Sequence, residues 1–141
     1  MFYILHGEDT FSREEFITQL QVAIGSPDAA QSNTTRVVWK DVSLPEITQA
    51  CMTVPFLAER RIVVVEGLLN SLTPTSRTRE RSSKSAAQPS SPSKSVVESL
   101  KQLANDLPST NDLVLAEEAL RKNSPFISEL EPLARIREFQ P

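Results

Sequence analysis

Apolar residues occur along this chain in two rhythms, short unbroken runs and longer helically spaced sets, and the two alternate. Phe2-Tyr3-Ile4-Leu5-His6 is a run closed by Gly7 and predicts a buried strand ending in a turn. Ser12-Arg13-Glu14-Glu15 is a capping-box pattern, and Phe16, Ile17, Leu20, Ala23 and Ile24 follow at helical spacing until Gly25-Ser26-Pro27. Residues 26–34 are polar and predict a turn-rich connection. Thr35-Arg36-Val37-Val38-Trp39 predicts a second strand.

Ser43-Leu44-Pro45-Glu46 is another capping box, with a proline tolerated in the first helical turn. Ile47, Ala50, Cys51 and Val54 form one apolar face, and Pro55 ends that helix. Arg61-Ile62-Val63-Val64-Val65-Glu66-Gly67 follows almost at once and predicts a central strand covered on both faces. Later in the chain, Val96, Val97, Leu100, Leu103 and Ala104 predict a helix, and Leu113-Val114-Leu115-Ala116 a buried strand. Residues 124–133 predict a helix through Phe126, Ile127, Leu130 and Leu133, and 134–139 a closing strand with period-two alternation. Strands alternating with helices predict an α/β fold, a three-layer parallel sheet of about five strands.

The stretch 71–94 breaks both rhythms. It is rich in Ser, Thr, Pro and basic residues and has almost nothing to bury, so it predicts a disordered insert within the domain. Its Arg77, Arg79, Arg81, Lys84 and Lys94 could brush a phosphate backbone, but a solvated linker is the reading the composition favours.

With 141 residues the chain is long enough for one domain with a sizeable core, and a formal net charge of −3 argues against a dedicated nucleic-acid binder. The single cysteine, Cys51, excludes an internal disulfide and a cysteine-based zinc cage, which points to a reducing compartment. No signal-peptide pattern or transmembrane-length apolar run is present, so a soluble, cytoplasmic protein is expected.

Candidate chemistry is sparse. In a parallel α/β sheet, ligands bind beyond the carboxyl ends of the strands, and the first such turn is Gly7-Glu8-Asp9-Thr10-Phe11-Ser12. A phosphate loop needs several glycines, a lysine and a hydroxyl, and this turn has one glycine, no lysine and two acids. Glu66 stands where some nucleotide hydrolases place a Mg²⁺-holding carboxylate, but without a phosphate loop it reads as a charge at a strand exit, as do Glu117 and Glu118. His6 is the only histidine and joins no catalytic set, and Cys51 reads as a small core residue.

The segment Met52-Thr53-Val54-Pro55-Phe56-Leu57-Ala58-Glu59-Arg60-Arg61 joins a helix to the central strand. Composition alone favours Phe56 and Leu57 packing inward, as most such residues do. The alternative is an exposed apolar anchor for a partner's pocket, with Arg60 at its rim.

That segment with Ile62-Val63-Val64-Val65-Glu66, together with Tyr3-Ile4-Leu5-His6-Gly7-Glu8-Asp9-Thr10-Phe11, resembles the delta subunit of the bacterial DNA polymerase III clamp loader. Asp112-Leu113-Val114-Leu115-Ala116-Glu117, Leu120-Arg121-Lys122 and Ile136-Arg137-Glu138-Phe139 fit the same family. The likeness covers about residues 1–70 and 96–139 and extends to that family's N-terminal domain only. It implies that residues 1–141 form a single AAA+-like domain of a longer protein, interrupted by the insert at 71–94, with the fold of a P-loop NTPase but no functional phosphate loop. It also implies a non-catalytic protein without cofactor or metal that grips the sliding clamp and helps open the ring. Phe56 and Leu57 match the family's clamp-entering pair, with Met52, Val54 and Pro55 shaping the approach, which reverses the inward-packing reading. Other clamp-loader subunits would bind through further domains, DNA would be touched weakly or indirectly, and no membrane is involved. Two alternatives stand beside this: a divergent nucleotide-dependent ATPase or kinase using Glu66, and a DNA-binding module using the basic residues of 71–94.

Overall fold

The computed structural model describes residues 1–69, 92–118 and 125–139. Five parallel strands lie in the order β2-β3-β4-β1-β5, with β1 at Phe2–His6, β2 at Thr34–Val38, β3 at Arg61–Glu66, β4 at Asn111–Ala116 and β5 at Arg135–Glu138. The connecting helices are α1 (Thr10–Val22), α2 (Pro27–Ser32), α3 (Leu44–Met52), α4 (Pro92–Asp106) and α5 (Pro125–Leu130), with a 3-10 turn at Trp39–Asp41.

Pleating divides the core in two. Val63, Val65, Leu113 and Leu115 point to one face and pack with Ile47 and Cys51 of α3, Val97, Leu100 and Leu103 of α4, and Leu130 of α5. Ile62, Val64 and Val114 point to the other, against Ile17 and Leu20 of α1, Ala29 and Ala30 of α2, and Phe139. The apolar runs of β3 and β4 are continuous because both of their faces are covered. Burial in the first cluster pushes the Cys51 thiol up to about 12, so this sulfur is a core hydrophobe rather than a nucleophile.

Several boundaries differ from the sequence reading, each for a local reason. Helix α1 starts at Thr10 because Asp9, not Ser12, is its N-cap; the Asp9 carboxylate accepts from the Ser12 N–H at 3.1 Å and the Ser12 hydroxyl at 2.7 Å. The turn-rich stretch 26–34 contains α2, capped by the Ser26 side chain with Pro27 in its first turn, a helix too short to show a period. The box at Ser43 forms as read, its hydroxyl and Glu46 bonding each other's backbone. Helix α4 begins at Pro92, a turn before Val96, because the residues ahead of Val96 are not apolar and give no periodic signal. Residues 92–94 therefore belong to a helix, while 71–91 of the expected insert lie outside the described residues. Strand β5 is a mostly exposed edge strand.

At the end of β1 the chain passes close against the backbone of Phe139. Gly7 has φ +126°, and a Cβ built there would lie 2.1 Å from the Phe139 carbonyl oxygen. The contact is with backbone, so no side chain can yield. Next to it His6 is buried, its Nδ1 has no hydrogen-bond partner among the described residues, and burial lowers its pKa from the usual 6.5 against the opposing pull of Glu138.

Gly7→Ala combines a disfavoured φ with a backbone clash and is expected to lower unfolding free energy by about 2–4 kcal/mol, measured by urea denaturation. For His6, the unfolded imidazole takes up a proton near 6.5 while the folded one resists, so the contribution is complete above 6.5 and is lost as pH falls below it. The urea midpoint should therefore drop between about pH 7.5 and about pH 5.5, and His6→Gln should flatten that slope. An equal slope in the variant would place the acid sensitivity elsewhere.

Candidate functional site

The connection between α3 and β3, residues 53–60, lies at the amino-terminal end of the sheet, where β2, β3 and β4 begin. It runs past the start of β4, whose first residue supplies its entry grip. Asn111 is fully buried, and its amide nitrogen donates to the carbonyls of Cys51 at 2.6 Å and Thr53 at 2.8 Å, closing the end of α3. The middle is gripped from the β2 side. Asn33, also fully buried, accepts from the Phe56 N–H at 2.5 Å and donates to the Phe56 carbonyl at 2.9 Å and the Ala29 carbonyl at 2.8 Å. The exit is held by Arg60, whose guanidinium makes a forked pair with the buried carboxylate of Asp112 at 2.6 and 3.2 Å. Arg61 adds bonds to the Ala50 carbonyl and the Thr35 hydroxyl.

On this braced backbone the side chains face outward. Leu57 is 86% exposed, Val54 72% and Phe56 61%, against complete burial of most other large aliphatic residues in the strands. Leu57 has φ +53°, a left-handed conformation that L-residues rarely adopt and that costs on the order of 1–2 kcal/mol. Phe56 and Leu57 also border a shallow hollow of about 240 Å³ whose other wall is Ser26, Asp28, Ala29 and Ser32 of α2 and its cap. Met52 and Pro55 are half-buried, Met52 packing against the α3 side of the core. Of the six residues singled out in the sequence, Met52 ends α3 and the other five lie on the loop that follows it: Val54, Phe56 and Leu57 present apolar surface, Pro55 is half-buried, and Arg60 is tied to Asp112. Asn33 and Asn111 were not singled out. Their signal is an asparagine at the start of a strand, Asn33 just before β2 and Asn111 first in β4, which composition does not separate from an ordinary turn residue.

The carboxyl end of the sheet is built differently. Beyond β1 and β4, where the chain leaves adjacent strands toward opposite faces, Arg13 is buried and its guanidinium donates to the Gly7 carbonyl at 3.2 Å and the Glu117 carbonyl at 2.7 Å. The Gly7 N–H donates to the Glu118 carbonyl, and the Asp9 N–H to the Phe139 carbonyl. Glu117 is buried and accepts from the Leu69 N–H. Glu66 receives Arg36, which also pairs with Glu14. These groups are thus bonded to one another, while the Arg13 Nε is buried with no partner among the described residues. The basic residues 77, 79, 81 and 84 lie outside the described residues. Among the described residues no cluster of His, Cys, Asp or Glu could hold a metal ion, and no helix is long and apolar enough to cross a membrane.

Among solved structures, the fold is similar to that of the Bacillus subtilis DNA clamp loader delta protein YqeN, with a TM-score of 0.72 and 18% identity. That match covers 99% of this chain and 38% of the other. A DNA polymerase III gamma subunit-related protein from Thermotoga maritima matches with a TM-score of 0.57 and 15% identity, over 100% of this chain and 40% of that one. The chain thus spans about two fifths of the length of the structures it resembles. No curated protein matches the sequence significantly. Residues 3–140 match the family described as DNA polymerase III, delta subunit, and the chain belongs to that family.

Proposed function

We propose that this domain is the clamp-gripping part of a clamp-loader subunit, non-catalytic in itself, with Phe56 and Leu57 as the anchor that enters an apolar pocket on the sliding clamp. The observation that carries this reading is the exposure of two adjacent large apolar side chains on a loop whose backbone is pinned at entry, middle and exit. Leaving such side chains in water is unfavourable, and a pinned loop does not collapse to hide them.

Moving each of the two side chains from water into a pocket contributes roughly 1.5–3 kcal/mol. Part of this is offset by the freedom lost on association. Val54 and Pro55 widen the apolar contact, Met52 supports it from below, and Arg60 stands at the rim while holding the loop to Asp112. Gripping helps to open a ring only if the domain fits the open form better than the closed one, since a ligand shifts an equilibrium by its differential affinity alone. ATP would act through other subunits, contacted by further domains of the longer proteins this chain resembles, in the cytoplasm and with DNA touched weakly or indirectly. The engaged groups around Gly7 and Arg13 support a domain that takes no nucleotide itself.

The test is binding to the sliding clamp of the same organism. Phe56→Ala/Leu57→Ala should weaken binding by about a hundredfold or more. Because both side chains are exposed, circular dichroism and thermal unfolding should stay close to wild type. A double variant that binds the clamp as wild type does would remove these residues from the interface.

A further inference from the structure

We infer that Asn33 is the positioning residue of the Phe56–Leu57 anchor: without touching a partner, it sets the loop in the shape that a pocket receives. The inference rests on the clamp-gripping reading above for its partner, and on the geometry of the free domain for its mechanism.

The Asn33 carboxamide meets the Phe56 peptide as a strand neighbour would, accepting from its N–H and donating to its carbonyl. Its second amide hydrogen goes to Ala29 in α2, so one side chain joins the anchor to the helix that walls the other side of the hollow. Its own backbone is also committed, the N–H to the carbonyls of Ala29 and Ala30 and the carbonyl to the Ile62 N–H at the start of β3. Asn33 is therefore held by α2 and β3 through its backbone, and its side chain is fully buried.

Fixing Phe56 at both backbone groups constrains the next residue. Leu57 stands in the left-handed region that a free loop would leave for extended or right-handed backbone. Two bonds to Phe56 on one side, and the Arg60–Asp112 pair three residues on, hold Leu57 there and keep its side chain 86% exposed. A partner then meets the anchor already ordered, and the entropy that an unpinned loop would lose on binding has been spent in folding. Aspartate has the same shape, but its carboxylate only accepts and so loses both donated bonds; alanine loses all three.

The experiment follows three quantities in the same chain: clamp affinity, hydrogen exchange of the Phe56 amide, and thermal unfolding. In free wild type the Phe56 amide should exchange at least about tenfold more slowly than in an unstructured peptide, and Asn33→Ala, read well below its unfolding temperature, should remove that protection. Clamp affinity of Asn33→Ala should fall about tenfold although Phe56 and Leu57 are intact. If the alanine variant does not fold, Asn33→Leu, which has a similar size but neither accepts nor donates, gives the same comparison. A folded variant with an unprotected Phe56 amide and wild-type affinity overturns the positioning role, as does a wild-type Phe56 amide exchanging at the peptide rate. Wild type that does not bind the clamp overturns the clamp reading instead, and loss of Phe56 protection in the variant still assigns Asn33 to holding the anchor.

Discussion

Two asparagine side chains with no access to water stand at the amino-terminal end of this sheet, and each must find partners for an amide that cannot turn to solvent. A buried amide without hydrogen bonds would cost about 1–3 kcal/mol. Both find them in the same loop, Asn111 in the carbonyls that end α3 and Asn33 in the two backbone groups of Phe56. The requirement that buried polar groups be satisfied thus fixes a connection that has no regular secondary structure of its own. It explains how a loop with Phe56 and Leu57 at its crest keeps both outside, when burial of either would be favourable taken alone.

The same requirement separates the two ends of the sheet. At the carboxyl end, hydrogen-bonding groups turn toward one another: Arg13 links the carbonyls of Gly7 and Glu117, and Glu117 holds the Leu69 N–H. Phe139 lies against Gly7 so closely that no β-carbon fits between them. At the amino-terminal end the polar groups are consumed in bracing, and apolar surface is what remains to face outward. A parallel sheet offers a ligand crevice beyond its carboxyl ends, yet here the adjacent exposed pair Phe56 and Leu57 lies at the opposite end.

Much of the fold was legible because β3 and β4 are covered on both faces and so appear as unbroken apolar runs, Ile62–Val65 and Leu113–Ala116. The capping box at Ser43 was legible because both of its partners are local. Helix α2 was not, since six residues capped by Ser26 and covered only through Ala29 and Ala30 leave no period to read. The start of α1 was misplaced because Ser12 is a partner of the true cap, Asp9, and mimics a cap in sequence. Within the site, residue types alone favoured burying Phe56 and Leu57; the outward orientation came from the family likeness. Asn33 escaped notice because Phe56, its partner in the loop, is 23 residues away, and nothing local marks an asparagine whose amide meets a distant backbone.

Stiffness is what the proposed role asks of this loop. An anchor on a slack tether can bind a pocket, but it transmits no preference between two shapes of the partner, because the tether absorbs any mismatch. A loop pinned at Thr53, Phe56 and Arg60 carries mismatch back into α2, β3 and β4, where close packing makes displacement costly. Differential affinity for an open over a closed ring then arises wherever the rest of the domain surface fits one ring shape and strains against the other. In the proposed role the bracing bonds and the apolar crest would form one device, in which the crest would supply attachment and the bonds would convert attachment into a shape preference.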